Sequence, residues 1–175
     1  THHFDPPLVP PELTVGVTER VDMFGKIVIP LYEHEVQPAI QKLLDRGAEA
    51  IVISLLHSYK FPDHERKIRD IALKTIEANK KDIPVFASVD YYPVRLESHR
   101  TNTTIVEAYA ADPSREQLEK IDTTLRGSGT TFDLRIMASH GGTISTKANE
   151  LAPTAVSGPI GGMIGAKYLS EQLGI

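Results

Sequence analysis

The sequence predicts an α/β fold assembled from βαβ units around a parallel or mixed sheet. Three observations carry this. The apolar, β-branched run Ala50-Ile51-Val52-Ile53-Ser54-Leu55-Leu56 has the pattern of a strand covered on both faces, as central parallel strands are. A second strand-like run, Pro84-Val85-Phe86-Ala87-Ser88-Val89, follows it after a connection long enough for a crossover helix. Between the two, Ile68, Ile71, Ala72 and Ile76 recur at helical spacing and make one apolar stripe. With 175 residues, 41% of them hydrophobic and 24% charged, the chain can bury a sizeable core.

The elements follow in order. Residues 14–20 alternate and are rich in β-branched types; Ile27-Val28-Ile29 comes after the turn-like Met23-Phe24-Gly25-Lys26, so a hairpin is predicted. Over residues 35–46, Val36, Ala39, Ile40, Leu43 and Leu44 define an amphipathic helix, with Glu33 and Glu35 near its start and Gly47 past its end. Pro38 removes one amide donor inside it, which predicts an irregular first turn or a later start. The strand at 50–56 comes next, then a helix capped by Asp63, then the strand at 84–89, joined by a right-handed crossover. The second half repeats the alternation. Helical character over residues 102–111 is interrupted at Pro113, and Ser114 with Gln117 forms a capping-box pair ahead of Leu118, Ile121 and Leu125. Residues 131–138 alternate as a half-buried strand running into Ser139-His140-Gly141-Gly142. A short helix after Ser145 and a brief strand at Thr154-Ala155-Val156 lead to Ser157-Gly158-Pro159-Ile160-Gly161-Gly162, with Pro159 placed for the first helical position. The polar, aromatic stretch 90–100 marks the internal boundary, so the chain is expected to divide into regions 1–95 and 96–175.

Composition excludes several functions. The formal charge of −4 and a pI near 6.0, with Lys and Arg scattered, give no basic footprint for nucleic acid. The chain has no cysteine, which removes disulfides, thiolate zinc sites and a cysteine nucleophile and suits the cytoplasm. No signal peptide or membrane-length apolar run is visible. The chain begins without methionine and stops directly after a predicted helix, as an internal piece of a longer protein would.

Ligands of open α/β sheets bind outside the carboxyl ends of strands, which directs attention to His57-Ser58-Tyr59, Asp90-Tyr91-Tyr92, Ser139-His140-Gly141-Gly142 and Ser157-Gly158-Pro159 along one edge. The amides and dipole at the start of the last helix suit a phosphate. Gly161 with Gly165, and Gly162 with Ala166, suit close helix packing instead. The spacing is neither Walker A nor G-x-G-x-x-G. Ser139 and His140 are adjacent on extended chain and point apart, so a nucleophile–base pair is disfavoured and a glycine-lined polar contact is the better reading. His2, His3, His57, His64 and Glu65 lack the i, i+4 spacing of helical metal ligands, and no metal site is expected. Glu97, His99 and Arg100 precede a Thr- and Asn-rich helix start, either as a solvated cap or as a substrate-facing cluster.

Several segments then occur in one order: Val17-Thr18-Glu19-Arg20, Gly25-Lys26-Ile27-Val28-Ile29-Pro30-Leu31, Leu55-Leu56-His57-Ser58-Tyr59 with Pro62-Asp63-His64-Glu65, Arg100-Thr101-Asn102-Thr103-Thr104 with Ala108-Tyr109, Ser139-His140-Gly141-Gly142, and Ser157-Gly158-Pro159-Ile160-Gly161-Gly162. In this order they resemble the hydantoinase A, oxoprolinase and acetone carboxylase family over nearly the whole chain. His140, and Phe4-Asp5-Pro6-Pro7 at the start, look more like the acetone carboxylase branch. The resemblance implies an actin-like, ribonuclease-H-related ATPase architecture in which two lobes clasp ATP and Mg²⁺. It implies activation of a carbonyl or amide oxygen by phosphorylation, leading either to ketone carboxylation or to opening of a cyclic amide. A hydantoinase B-type subunit is the implied partner, and a scaffold region docking that subunit is the alternative of another class. The family's Asp-x-Gly-Gly-Thr phosphate loops are absent from this sequence, so no tightly bound cofactor and no activity are expected of the chain by itself. The Ser157 motif would then begin the helix connecting the lobes. The resemblance leaves the catalytic residues unassigned. The nucleotide- or substrate-proximal candidates are Ser139, His140, Gly141, Gly142, Ser157, Gly158, Gly161, Gly162, His57 and Arg100.

Overall fold

The computed structural model describes residues 7–148 and 150–174, the side chains of residues 111 and 112 excepted. The Phe4-Asp5-Pro6 start and the His2-His3 pair lie outside the described residues. The chain divides into two compact units, Thr1–Ala108 and Tyr109–Ile175.

In the first unit, β1 (Arg20–Val21) pairs antiparallel with β2 (Ile27–Ile29). The expected hairpin is present, but its first strand begins at Arg20 rather than Thr14. Ahead of it, Thr18 is held by both backbone and side chain: its carbonyl accepts from the Tyr32 amide at 2.9 Å, and its amide and hydroxyl donate to Glu35, at 2.7 and 3.2 Å. The turn is closed by Asp22, whose Oδ1 accepts from the amides of Phe24 and Lys26, both at 2.9 Å, with Gly25 at φ +89°.

Helix α1 (Glu33–Asp45) starts earlier than the Pro38 argument predicted, and the proline sits inside it. Its loss is confined to one amide donor, while Val36, Ile40 and Leu44 bury the expected stripe. Strand β3 (Ile51–Ile53) and strand β4 (Val85–Ala87) pair in parallel, Ile51 opposite Val85 and Ile53 opposite Ala87. Helix α2 (Asp63–Ala78) forms the crossover. Asp63 is its first residue rather than its cap, the preceding Pro62 making no side-chain cap bond. Among the described residues β3 pairs only with β4, so the predicted central strand is one of two here. The core is the layer between this pair and α1 and α2: Leu31, Val36, Ile40, Leu44, Ile51, Ile53, Ile68, Ala72 and Ile76. Both strands are shorter than their apolar runs. The chain leaves β4 directly into a one-turn helix, α3 (Ser88–Tyr91), where continued strand and then loop were expected.

Helix α4 (Glu97–Gly127) runs from the first unit into the second, straight through Pro113. The predicted interruption and the Ser114–Gln117 cap are therefore corrected: proline removes one amide bond and crowds the carbonyl four residues back, but the amides after it have helical acceptors available and need no cap. In the second unit, β5 (Arg135–Met137) and β6 (Thr143–Ser145) form an antiparallel hairpin. This hairpin stands where a strand running on toward a short helix was expected, because Gly141 at φ +86° lets Ala138 donate its amide to Gly142 O at 2.8 Å and close the chain on itself. A turn at Thr146-Lys147 stands where a short helix was expected, and a 3₁₀ turn (Ala152–Thr154) where a strand was. Helix α5 (Ser157–Leu173) begins at Ser157, which places Pro159 third rather than first, still among amides that lack an intrahelical acceptor.

Candidate functional site

The carboxyl ends of β3 and β4 meet over a buried polar network. Glu65, in the first turn of α2, is fully buried, and both of its oxygens are used. Oε1 accepts from the Leu55 amide at 2.8 Å; Oε2 accepts from the Val89 amide at 3.0 Å; the Ser88 hydroxyl reaches both, at 2.8 and 3.0 Å. The α2 N-terminus and the first amides of α3 thus supply the positive environment that lets a carboxylate stay inside. Arg100, at 0% exposure, approaches from α4. Its Nε donates to Ser88 Oγ at 2.9 Å, Nη1 to Val94 O at 2.9 Å and Nη2 to Leu55 O at 2.6 Å. Leu55 is therefore gripped at its N–H by the carboxylate and at its C=O by the guanidinium, and Ser88 bridges the two charges.

Two residues further on stands His57, whose φ of +58° is rare for a residue with a Cβ. Its amide donates to Glu97 Oε1 at 3.4 Å, and its Nδ1 lies 3.6 Å from the same oxygen, beyond hydrogen-bond length. Burial works against ionisation of Glu97, but its own amide, the His57 amide and the charges of Arg100 and His57 outweigh it and hold the carboxyl below its usual range. Among the described residues, the buried side-chain polar atoms without a hydrogen-bond partner are His57 Nδ1 and Ser58 Oγ, consecutive residues of this one turn. Buried polar atoms of this kind are met in native proteins by an ordered water, an ion or a ligand group. Nearby, Ser54 and Thr101 hydroxyls meet at 2.6 Å, and His64 Nδ1 meets Glu19 Oε2 at 2.8 Å in a buried pair.

Of the predicted site residues, His57 and Arg100 come together here, but in different roles. His57 is half-buried at the rim of the network, whereas every nitrogen of the Arg100 guanidinium is turned inward. Sequence reasoning did not find Glu65 and Ser88 as a pair. The available signal was an acidic residue in the first turn of a helix that follows one strand, with a hydroxyl at the end of the next strand.

The remaining candidates belong to the second unit. The Ser139 hydroxyl donates to Pro153 O at 2.5 Å and accepts from the Val156 amide at 3.2 Å, which ties the hairpin turn to the start of α5. His140 Nδ1 accepts from the Gly142 amide at 3.2 Å, which requires the proton of a neutral ring to sit on Nε2. A Cβ at Gly141 would meet Ile164 at 3.4 Å, and one at Gly161 would meet Met137 at 3.7 Å, so these two glycines pack the hairpin against α5. At Gly158, Gly162 and Gly165 an added Cβ meets nothing within 4 Å. A groove of about 320 Å³ runs beside Ser157, walled by Leu118, Ile121, Ile136 and Met137.

Among the described residues no three His, Asp or Glu side chains gather where they could hold a metal ion. No described helix is long and apolar enough to cross a membrane.

Comparison with known proteins places these features. The model of the hydantoinase/oxoprolinase N-terminal region matches residues 2–76, and the hydantoinase/oxoprolinase model matches residues 100–175. The acetone carboxylase beta subunit of Xanthobacter autotrophicus is 63% identical over 99% of the chain, which covers 24% of that subunit. The acetophenone carboxylase gamma subunit of Aromatoleum aromaticum is 32% identical over 96% of the chain, which covers 23% of it. A solved nucleotide-free acetone carboxylase structure, described in terms of ATP-dependent acetone carboxylation, superimposes with a TM-score of 0.93 at 63% identity, over 99% of this chain and 24% of that one. Its architecture is of the actin-like ATPase type. The chain thus spans about a quarter of the length of these relatives.

Proposed function

The chain belongs to the hydantoinase/oxoprolinase family, and from that premise we propose that it is part of the ATP-dependent subunit of an acetone-type ketone carboxylase. The observation that carries this is the 63% identity to the acetone carboxylase beta subunit, sustained across 99% of the chain. Both relatives named above are carboxylase subunits, which supports a multi-subunit enzyme; a hydantoinase B-type protein is the partner this reading adopts. Regions 1–95 and 96–175 are read as the end of one family domain and the start of the next, supported by the two family models matching 2–76 and 100–175. The reading places the protein in the cytoplasm.

ATP and Mg²⁺ are assigned to the whole subunit and not to a step on these residues. Within this chain, the ligand-facing turn is assigned to His57 and Ser58. The orphaned Nδ1 and Oγ support this, because an incoming oxygen or N–H group would satisfy them. Ser139, His140, Gly141, Gly142, Ser157, Gly158, Gly161 and Gly162 form a second group, for which close approach of backbone rather than side-chain chemistry is the assigned use.

ATP-dependent opening of a cyclic amide is the second reading, favoured by the name under which both family models stand. The test is ATP hydrolysis by the full-length subunit with its partners, offered acetone and bicarbonate, hydantoin, or 5-oxoproline. Stimulation by the ketone with bicarbonate alone supports the carboxylase. Stimulation by a cyclic amide supports the hydrolase. If none stimulates while the partner still binds, the region is a scaffold.

A further inference from the structure

We infer that Arg100, acting with Glu65 and Ser88, is a positioning residue that sets the His57–Ser58 turn through the backbone of Leu55. The inference rests on the reading that this turn faces the ligand. It differs from that reading in placing Arg100 behind the turn rather than at the ligand.

The geometry is specific. A charge pair built only to hold two elements together would bring guanidinium and carboxylate into direct contact. Here the Ser88 hydroxyl stands between them, donating to Glu65 at 2.8 Å and accepting from Arg100 at 2.9 Å. The two charges converge instead on one residue, Glu65 on the Leu55 N–H at 2.8 Å and Arg100 on the Leu55 C=O at 2.6 Å. Leu55 lies just past the last paired residue of β3, Ile53, where the backbone groups of a strand lose their ladder partners. The side chains replace that ladder, and the chain turns two residues later through the left-handed conformation of His57. Such a conformation persists in a residue with a Cβ only where the surroundings over-determine it. Arg100 also bears on the turn through charge, since it is among the groups that keep Glu97 ionised beside the His57 amide. Its Nε, Nη1 and Nη2 each donate inside the protein and the residue is 0% exposed, which places it behind the turn and away from a ligand.

The test is a double-mutant cycle in the full-length subunit assembled with its partners. ATP hydrolysis is assayed with acetone and bicarbonate, or with 5-oxoproline if that is the substrate that stimulates it, and thermal unfolding of each variant is followed in parallel. His57→Gln and Arg100→Lys are each expected to lower kcat/KM on the order of tenfold to a hundredfold, as misplacement of a site residue does. Because both act through one turn, the double variant is expected to be no worse than His57→Gln alone. Ser88→Ala, a smaller perturbation, serves if Arg100→Lys fails to fold. Multiplying effects in the double variant overturn the clamp and leave the ligand-facing turn standing. Full activity of His57→Gln overturns both. If neither Arg100→Lys nor Ser88→Ala folds, the network is a folding element and the clamp is again overturned.

Discussion

Three carboxylates of the first unit ionise below their ordinary range, each because backbone or hydroxyl donors point at it. Asp22 is lowered chiefly by the Lys26 amide, and Glu35 by the Thr18 amide and then its hydroxyl; in Glu97, burial opposes ionisation but is outweighed by its own and the His57 amides and by Arg100. A folded value below the unfolded one means stability that is present above the unfolded carboxylate range and is lost as pH falls through the folded values. Urea unfolding midpoints should therefore fall as pH drops below about 4, and Glu35→Gln should be less stable than wild type at neutral pH but lose less on acidification. An acid limb unchanged by Glu35→Gln would contradict this. Gly141→Ala should cost about 1–2 kcal/mol, since alanine at φ +86° is strained although its Cβ would make only ordinary contact with Ile164. Arg100 was legible in the sequence as a candidate, but its inward direction was not. A buried arginine and a solvated one read alike when both sit in a polar stretch, and the partners that distinguish them, Leu55 and Ser88, are 45 and 12 residues away.

At the scale of elements, what the sequence makes legible is periodicity. Helices α1 and α2 and the parallel pair β3 and β4 all stand where the apolar spacing puts them, because burial of one stripe or one run decides those elements. Leu44, 1% exposed in the core between α1 and the strands, should therefore cost about 2–5 kcal/mol when cut to alanine. What decides an end or a turn is local backbone chemistry, which the spacing of apolar residues does not report. That is why residues 131–145 read as a strand leading toward a short helix yet form a hairpin: one glycine with positive φ and two amide-to-carbonyl bonds, Ala138 to Gly142 and Gly141 to Ala138, reverse the chain at residues 138–142. Pro113 taught the opposite lesson, since a breaker was expected and the helix runs on. Pro113→Ala should then restore an amide bond and raise stability by up to about 3 kcal/mol, read as a higher Tm; a lowered Tm would mean that the chain is broken there.

For the whole molecule, the family was legible because several motifs stand in order. The candidate site was legible only in part, because His57 and Ser58 are marked by unpaired atoms that no motif records. The glycines of α5 divide in the same way. Gly161 contacts Met137, whereas Gly162 has open space around it within this chain. Gly162→Val leaves the chain's own contacts intact, so the loss of stability or ATP affinity we expect in the full-length protein would report contacts with the rest of it. Unchanged stability and affinity would remove both roles for that position. The proposed reaction is carbon–carbon bond formation by the enzyme of which this chain is part. Its most direct test supplies the full-length subunit and its partners with ATP, acetone and isotopically labelled bicarbonate. Label is expected in a new carboxylate carbon of the product, formed only when ATP is present and lost in His57→Gln. ATP-dependent ring opening of 5-oxoproline or hydantoin, with no label fixed from bicarbonate, would contradict it.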